Sequence, residues 1–220
     1  MRNFRNFLNK RAMIRAATLA LPLVAVTALP ACDLFNQAKS AVQDAAQIPI
    51  DVTQSTKVSF DLGKALGSTA GQTTPIKIEQ DLPLPALPVD LKKEKPELAK
   101  YADGHIVTVE IKQIVVTPTT NTLTADLPAL DIYFGPATAT KASEGVKVAS
   151  IPAIPKGSNK AIDAVIDSAG MTKAGTDYLA KLAFAEIMTG KLIVEAGGSV
   201  PSGLVDLKLD LTIHAVVTPL

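Results

Sequence analysis

Between Leu204 and Val217 every odd position is apolar (Val205, Leu207, Leu209, Leu211, Ile213, Ala215, Val217), while Asp206, Lys208, Asp210, Thr212 and His214 take even ones. A period of two over that length predicts a strand with one face on a core and the other in water. A second long strand is expected over residues 105–117. Val107, Val109 and Ile111 run in one phase, and Ile114 and Val116 in the other. The slip falls at Lys112-Gln113, where one extra residue in a β-bulge would produce it. Shorter strands are expected at 52–62, 122–127, 129–134, 146–151 and 191–196, with Asn121 as a turn between two of them.

A helical block interrupts this pattern. Residues 160–169 place Ile162, Val165, Ile166 and Ala169 on one face, with Ser158 or Asn159 as N-cap and Gly170 as the stop. Residues 176–188 predict a second helix, apolar except for Asp177 and Lys181 (an i,i+4 pair) and Glu186. The fold class expected is therefore α+β: an antiparallel β-sandwich or curled sheet with a helical hairpin insertion. Residues 48–220 suffice for one core without a second domain.

The N-terminal pattern differs. Residues 1–15 are basic, and residues 16–28 form an uncharged apolar run of 13. A membrane-spanning helix needs roughly 20 apolar residues, so this run has the length of a secretory signal, expected over residues 1–31. It is followed by Leu29-Pro30-Ala31-Cys32. This tetrapeptide resembles the lipobox of bacterial lipoproteins, with an aliphatic residue three before the cysteine and a small residue just before it. The resemblance covers only the first 32 residues. It implies cleavage after Ala31, a diacylglyceryl group on the Cys32 thiol and an acyl chain such as palmitate on its new amine. Two or more chains hold a protein stably on a bilayer where one is marginal. Residues 32–47 then read as a lipidated tether or short helix, with Leu34, Ala38, Ala41, Val42 and Ala45 at helical spacing. The implied place is the bacterial cell envelope, on the outer or inner membrane, at its periplasmic or surface face.

Charge sharpens the picture. Five of the 22 Lys and Arg lie in residues 1–31, which hold no carboxylate, so the remainder carries 17 cations against 21 anions, a net of −4. All four arginines fall in that first segment. A nucleic-acid partner is not expected, because binding one needs excess positive charge. A single cysteine also excludes an internal disulfide and four-cysteine metal sites.

Candidate chemistry is sparse. His105 follows the turn signal Asp103-Gly104, and a metal or general-base role would require a third group such as Glu110, Asp131 or His214. His214 sits in the polar register of its strand, so no metal site is expected. Gly197-Gly198-Ser199-Val200-Pro201 lacks the second glycine of a nucleophile elbow, and no phosphate-cradling glycine motif occurs. No catalytic residue and no cofactor is expected. Residues 81–90 alternate proline with aliphatics, and Ile151-Pro152-Ala153-Ile154-Pro155 does so on a smaller scale, which suits an edge strand blunted by residues that cannot donate ladder hydrogen bonds. The other reading of residues 81–90 is an apolar docking rim. Residues 92–97 read as a solvated mixed-charge loop. The functional expectation is a non-enzymatic, lipid-anchored envelope protein that binds a hydrophobic ligand such as a lipid, or an envelope protein partner. Aromatic-poor, aliphatic-rich composition suits acyl chains better than sugars. The alternative is a structural or adhesive surface spacer without a small-molecule site.

Overall fold

The period-two segments become the longest strands among the described residues. The computed structural model describes residues 47–218 apart from Pro83 and residues 102–104. The expected signal peptide, Cys32 and nearly all of the expected tether lie outside the described residues, as do Asp103 and Gly104. In chain order the strands are β1 (Ile48–Asp61), β2 (Ile78–Asp81), β3 (Leu87–Asp90), β4 (Ile106–Asn121), β5 (Leu130–Pro136), β6 (Val146–Ile151), β7 (Ile162–Asp163), β8 (Val165–Ile166), β9 (Ala183–Val194) and β10 (Leu204–Val217). The helices are α1 (Leu62–Leu66), α2 (Leu91–Glu94), α3 (Pro96–Ala99) and α4 (Ser168–Asp177).

These strands form two antiparallel sheets. The first has the order β1-β10-β4-β7, and the second β2-β9-β5-β6-β8, with β3 taking the same edge of β9 as β2 further along. Strand β10 is central, paired with β1 from Ile48↔Val217 to Asp61↔Leu204 and with β4 on its other side. Its odd positions are all buried, as the alternation predicts. The expected bulge is present: Thr212 faces Gln113 and Ile213 faces Ile111, leaving Lys112 unpaired so that the apolar phase of β4 can change while staying on the core. One apolar cluster draws on both sheets, including Val58 and Phe60, Leu209 and Leu211, Ile132 and Phe134, Phe184 and Met188. The rings of Phe134 and Phe184 tilt against each other with centroids 4.9 Å apart, a favoured aromatic geometry.

The helical hairpin is absent among the described residues, for two reasons. Residues 160–169 carry two-residue strands instead. Asp163 and Ile162 pair with Val115 and Val116 of the first sheet, whereas Val165 and Ile166 pair with Ser150 and Ala149 of the second. Ala164 lies between them and donates its N–H to the Ile114 carbonyl at 2.9 Å. The helix-like spacing of Ile162 and Ile166 arises because the chain crosses from one sheet to the other there, each isoleucine packing against the shared core while Val165 is exposed.

The longest helix among the described residues begins later, at Ser168. Asp167 caps it, its carboxylate accepting from the N–H groups of Ala169 and Gly170 at 3.1 and 3.0 Å. Gly170, expected to end a helix, is inside this one. The predicted helix over 176–188 survives only to Asp177, followed by a short 3-10 turn at Leu179–Lys181 and Leu182 in the left-handed region (φ 57°). Ala183–Val194 is strand β9. Phe184, Glu186 and Met188 face the main core, whereas Ala185 and Ile187 are buried on the other face under Tyr133, Ala142 and Ala86. A strand covered on both faces loses its alternation and looks like a buried helix.

Elsewhere the corrections are smaller. Residues 122–127 form no strand beyond a single bridge, Leu127↔Ile154. Asn121, expected as a turn between two strands, is instead the last residue of β4, and its Oδ1 accepts from Leu123 N–H at 3.3 Å as the chain leaves the strand. The proline-rich stretch 81–90 begins at the last residue of β2 and ends in β3, and both strands lie on the outer edge of β9. Residues 92–97 fall in two short helical segments, α2 and α3, with Leu91 and Leu98 fully buried.

Candidate functional site

Strand β4 extends well past β7, which pairs only with Val115 and Val116. Helix α4 covers the stretch around Val109 instead. Two glycines set how closely it sits. At Gly175 a Cβ would stand 2.8 Å from the Val109 carbonyl oxygen of β4, and at Gly170 a Cβ would stand 1.7 Å from the Lys147 carbonyl oxygen of β6. The helix thus lies directly on the backbone of both sheets, and glycine is the residue that allows it. Beside this contact line, where Gly175 meets β4, open space remains.

That space is a groove of about 430 Å³ between β4 and α4. Val109, Ile111, Ile166, Met171 and Ala180 supply its apolar lining, and Thr108, Glu110, Ser168, Thr172 and Thr176 its polar one. The hydroxyls of Thr172 and Thr176 donate to the carbonyls of Ser168 and Thr172 at 2.9 and 3.3 Å, the usual back-bonding of threonine in a helix. Glu110 is paired with the ammonium of the bulged Lys112 at 2.6 Å.

The residues singled out from the sequence do not converge on a catalytic centre. His214 of β10 stands between Asp51 of β1 and Glu110 of β4 in the pairing register, with its Nδ1 2.6 Å from Asp51 Oδ1. His105 lies beside Thr218, whose N–H donates to the His105 carbonyl at 2.7 Å, four positions along from His214. Asp131 binds Lys147 at 2.8 Å and accepts from Ser150 at 2.9 Å, and this ion pair raises the Lys147 pKa. Among the described residues no three His, Cys, Asp or Glu side chains are placed to hold a metal. The Gly197-Gly198-Ser199 segment is tied to another loop: Gly197 N–H donates to Thr74 at 2.7 Å, Thr74 N–H returns to Gly198 at 3.0 Å, and Ser199 bridges Thr73.

One polar group escaped the sequence reading. Glu186 of β9 is 1% exposed and points between the sheets. Its Oε2 accepts from Thr56 of β1 at 2.9 Å, and its Oε1 has no partner. Burial pushes its carboxyl up to about 7, with the Thr56 hydrogen bond pulling the other way. Neighbouring Gln54 is 2% exposed and hydrogen-bonds the Glu94 carboxylate. This polar pocket of core lies at the β1 edge of the first sheet, away from the groove at β4. The available signal was a lone carboxylate inside the apolar run 182–188, in phase with Phe184 and Met188.

No described helix is long and apolar enough to cross a membrane. No family model matches the chain. No curated protein matches it. Among solved structures, a chain of Desmodium yellow mottle tymovirus is similar at 12% identity over 100% of this chain and 98% of its own, with a TM-score of 0.29. A mud crab tombus-like virus chain gives 12% identity over 97% and 95%, with a TM-score of 0.35. The BFDV capsid protein, solved as a decamer, gives 11% identity over 77% and 98%, with a TM-score of 0.32. Likeness at these scores carries no argument about function, which rests on the chain's own groove and sequence.

Proposed function

We propose that this chain is a lipid-anchored protein of the bacterial cell envelope, without enzymatic activity, that holds a hydrophobic ligand in the groove between β4 and α4. In this reading the facing sheets make a β-sandwich, the helix closes one of its edges, and the lipid on Cys32 keeps the groove near a membrane. The observation that carries the proposal is the groove itself. Its volume of about 430 Å³ falls in the range of small-molecule sites, ~300–1,000 Å³, and its apolar lining with a few polar groups is the composition such sites share.

Two experiments test the two halves. Growth of a host expressing the full chain with an alkyne-tagged palmitate should label the protein, and Cys32→Ser should abolish the label. Label retained by the serine variant would remove the anchor. For the ligand, the full chain is extracted from its envelope in a detergent-free polymer disc and analysed for bound amphiphile by native mass spectrometry, against a Thr176→Trp variant. Thr176 is exposed and lines the groove, so the indole would fill the space from the solvent side without replacing a buried residue. A near-stoichiometric amphiphile lost from Thr176→Trp is expected. A protein free of noncovalent amphiphile would favour the spacer reading instead.

A further inference from the structure

Resting on that reading of the groove as a ligand site, we infer that its occupant is a single-chain amphiphile with an uncharged, hydrogen-bond-donating head, the chemistry of a monoacylglycerol or long-chain alcohol. The volume of about 430 Å³ lies toward the small end of ligand sites and suits one chain along Val109, Ile111, Ile166 and Met171. The polar lining then selects the head. Thr172 and Thr176 have committed their hydroxyl hydrogens to helix carbonyls, so what each oxygen still offers is a lone pair. An ionised Glu110 is acceptor-only, and Lys112 engages its Oε2, leaving Oε1. Among the described residues that line the groove there is no Lys, Arg or His.

An acceptor-rich lining with a carboxylate discriminates by chemistry. A fatty-acid carboxylate or a phosphate brings only acceptors, so Thr172, Thr176 and Glu110 offer it no hydrogen bond, only the Ser168 and Thr108 hydroxyls can donate to it, and the neutral Glu110–Lys112 pair gives its charge no net partner to offset desolvation. A glycerol or alcohol head brings hydroxyl hydrogens to the oxygens that lack them. An ammonium also donates, but the Glu110 charge that would favour it is already paired with Lys112 at 2.6 Å, so the neutral head gains most per desolvation.

The test uses the full chain reconstituted in phosphatidylcholine vesicles with photoreactive probes of one chain length: a monoacylglycerol, a fatty acid and an alkylamine, each carrying a diazirine in the chain. Adducts are mapped to peptides. The monoacylglycerol is expected to label the segments bearing Ile111 and Met171 roughly tenfold more than the fatty acid. Glu110→Lys is expected to raise fatty-acid labelling there to at least the monoacylglycerol level, and Glu110→Gln, which keeps the side-chain shape, to narrow the gap. Equal labelling by the fatty acid, or preference for the alkylamine, overturns the head-group assignment and leaves the groove a lipid site. Absence of adducts on those segments from all three probes overturns the ligand reading as well.

Discussion

Gly170→Ala is expected to unfold the protein or cost it more than about 4 kcal/mol, the rare end of single-substitution effects. The added Cβ would lie 1.7 Å from the Lys147 carbonyl oxygen. That oxygen belongs to backbone within β6, so relief requires lifting the capped end of α4 off the second sheet. The cost includes whatever that lift exposes, including Met171, which is 4% exposed, and the fully buried Ala174. Gly175→Ala should cost less, because its Cβ would meet the Val109 oxygen at 2.8 Å rather than 1.7 Å and a smaller shift relieves the clash. Gly63→Ala serves as the control: its nearest neighbour is a movable Asp61 carboxylate oxygen at 3.1 Å, and alanine favours a helix interior. Urea unfolding of the three variants should rank them in that order. A Gly170→Ala protein as stable as the control would mean that α4 does not sit on β6 as described.

The second large effect is a loss of stability as pH rises through the neutral range. Glu186 has an ordinary value of 4.5 when exposed and about 7 in the fold. Between these values the folded state holds a proton that the unfolded state has released. Its contribution is therefore fully present below about 4.5, declines from there, and is gone above 7. At 1.36 kcal/mol per pH unit the decline amounts to about 3 kcal/mol. Carboxylates held low act in another window with the opposite sign: Asp206, hydrogen-bonded by Ser59 and Thr120, and Glu144, bonded by the N–H groups of Thr140 and Lys141, lose their contribution only as pH falls through the ordinary carboxylate range. Unfolding free energies should fall from pH 5 through 6 to 7 and level off by pH 8 for the native chain, and stay nearly level throughout for Glu186→Gln. The level, rather than the absolute stability, is the readout, since the amide places an unpaired donor where Oε1 stood. An undiminished slope in Glu186→Gln would assign the pH dependence to another group.

How much of this was readable along the chain depended on whether each strand had one wet face. Strand β10 alternates because its even positions look outward, and the Lys112 bulge was visible because it flips an otherwise regular phase in β4. Strand β9 gave no such signal, since Ala185 and Ile187 are as buried as Phe184 and Met188. The crossing at Ala164 was hidden differently. Its strands are two residues each, and a spacing of four between Ile162 and Ile166 imitates a helix turn. The groove was beyond reach of pattern altogether, because it depends on Gly170 and Gly175 meeting carbonyls of strands distant in sequence. Glu186 was in plain view as a residue but not as a buried one, for its burial requires β1 to lie across β9.

The pairing of Ile48 with Val217 also governs how the protein comes to be folded. Strands β1 and β4 both take β10 as their neighbour, and β2 through β9 lie between β1 and β10 in the chain. Until β10 emerges, the first sheet has no centre, and two strands of 14 and 16 residues have no partner along most of their length. Folding is therefore dominated by contacts between remote segments, which closes large loops before any reward arrives and makes for slow acquisition of structure. A nascent chain of this design stays open until β10 is available and depends, meanwhile, on protection of its bare strand edges.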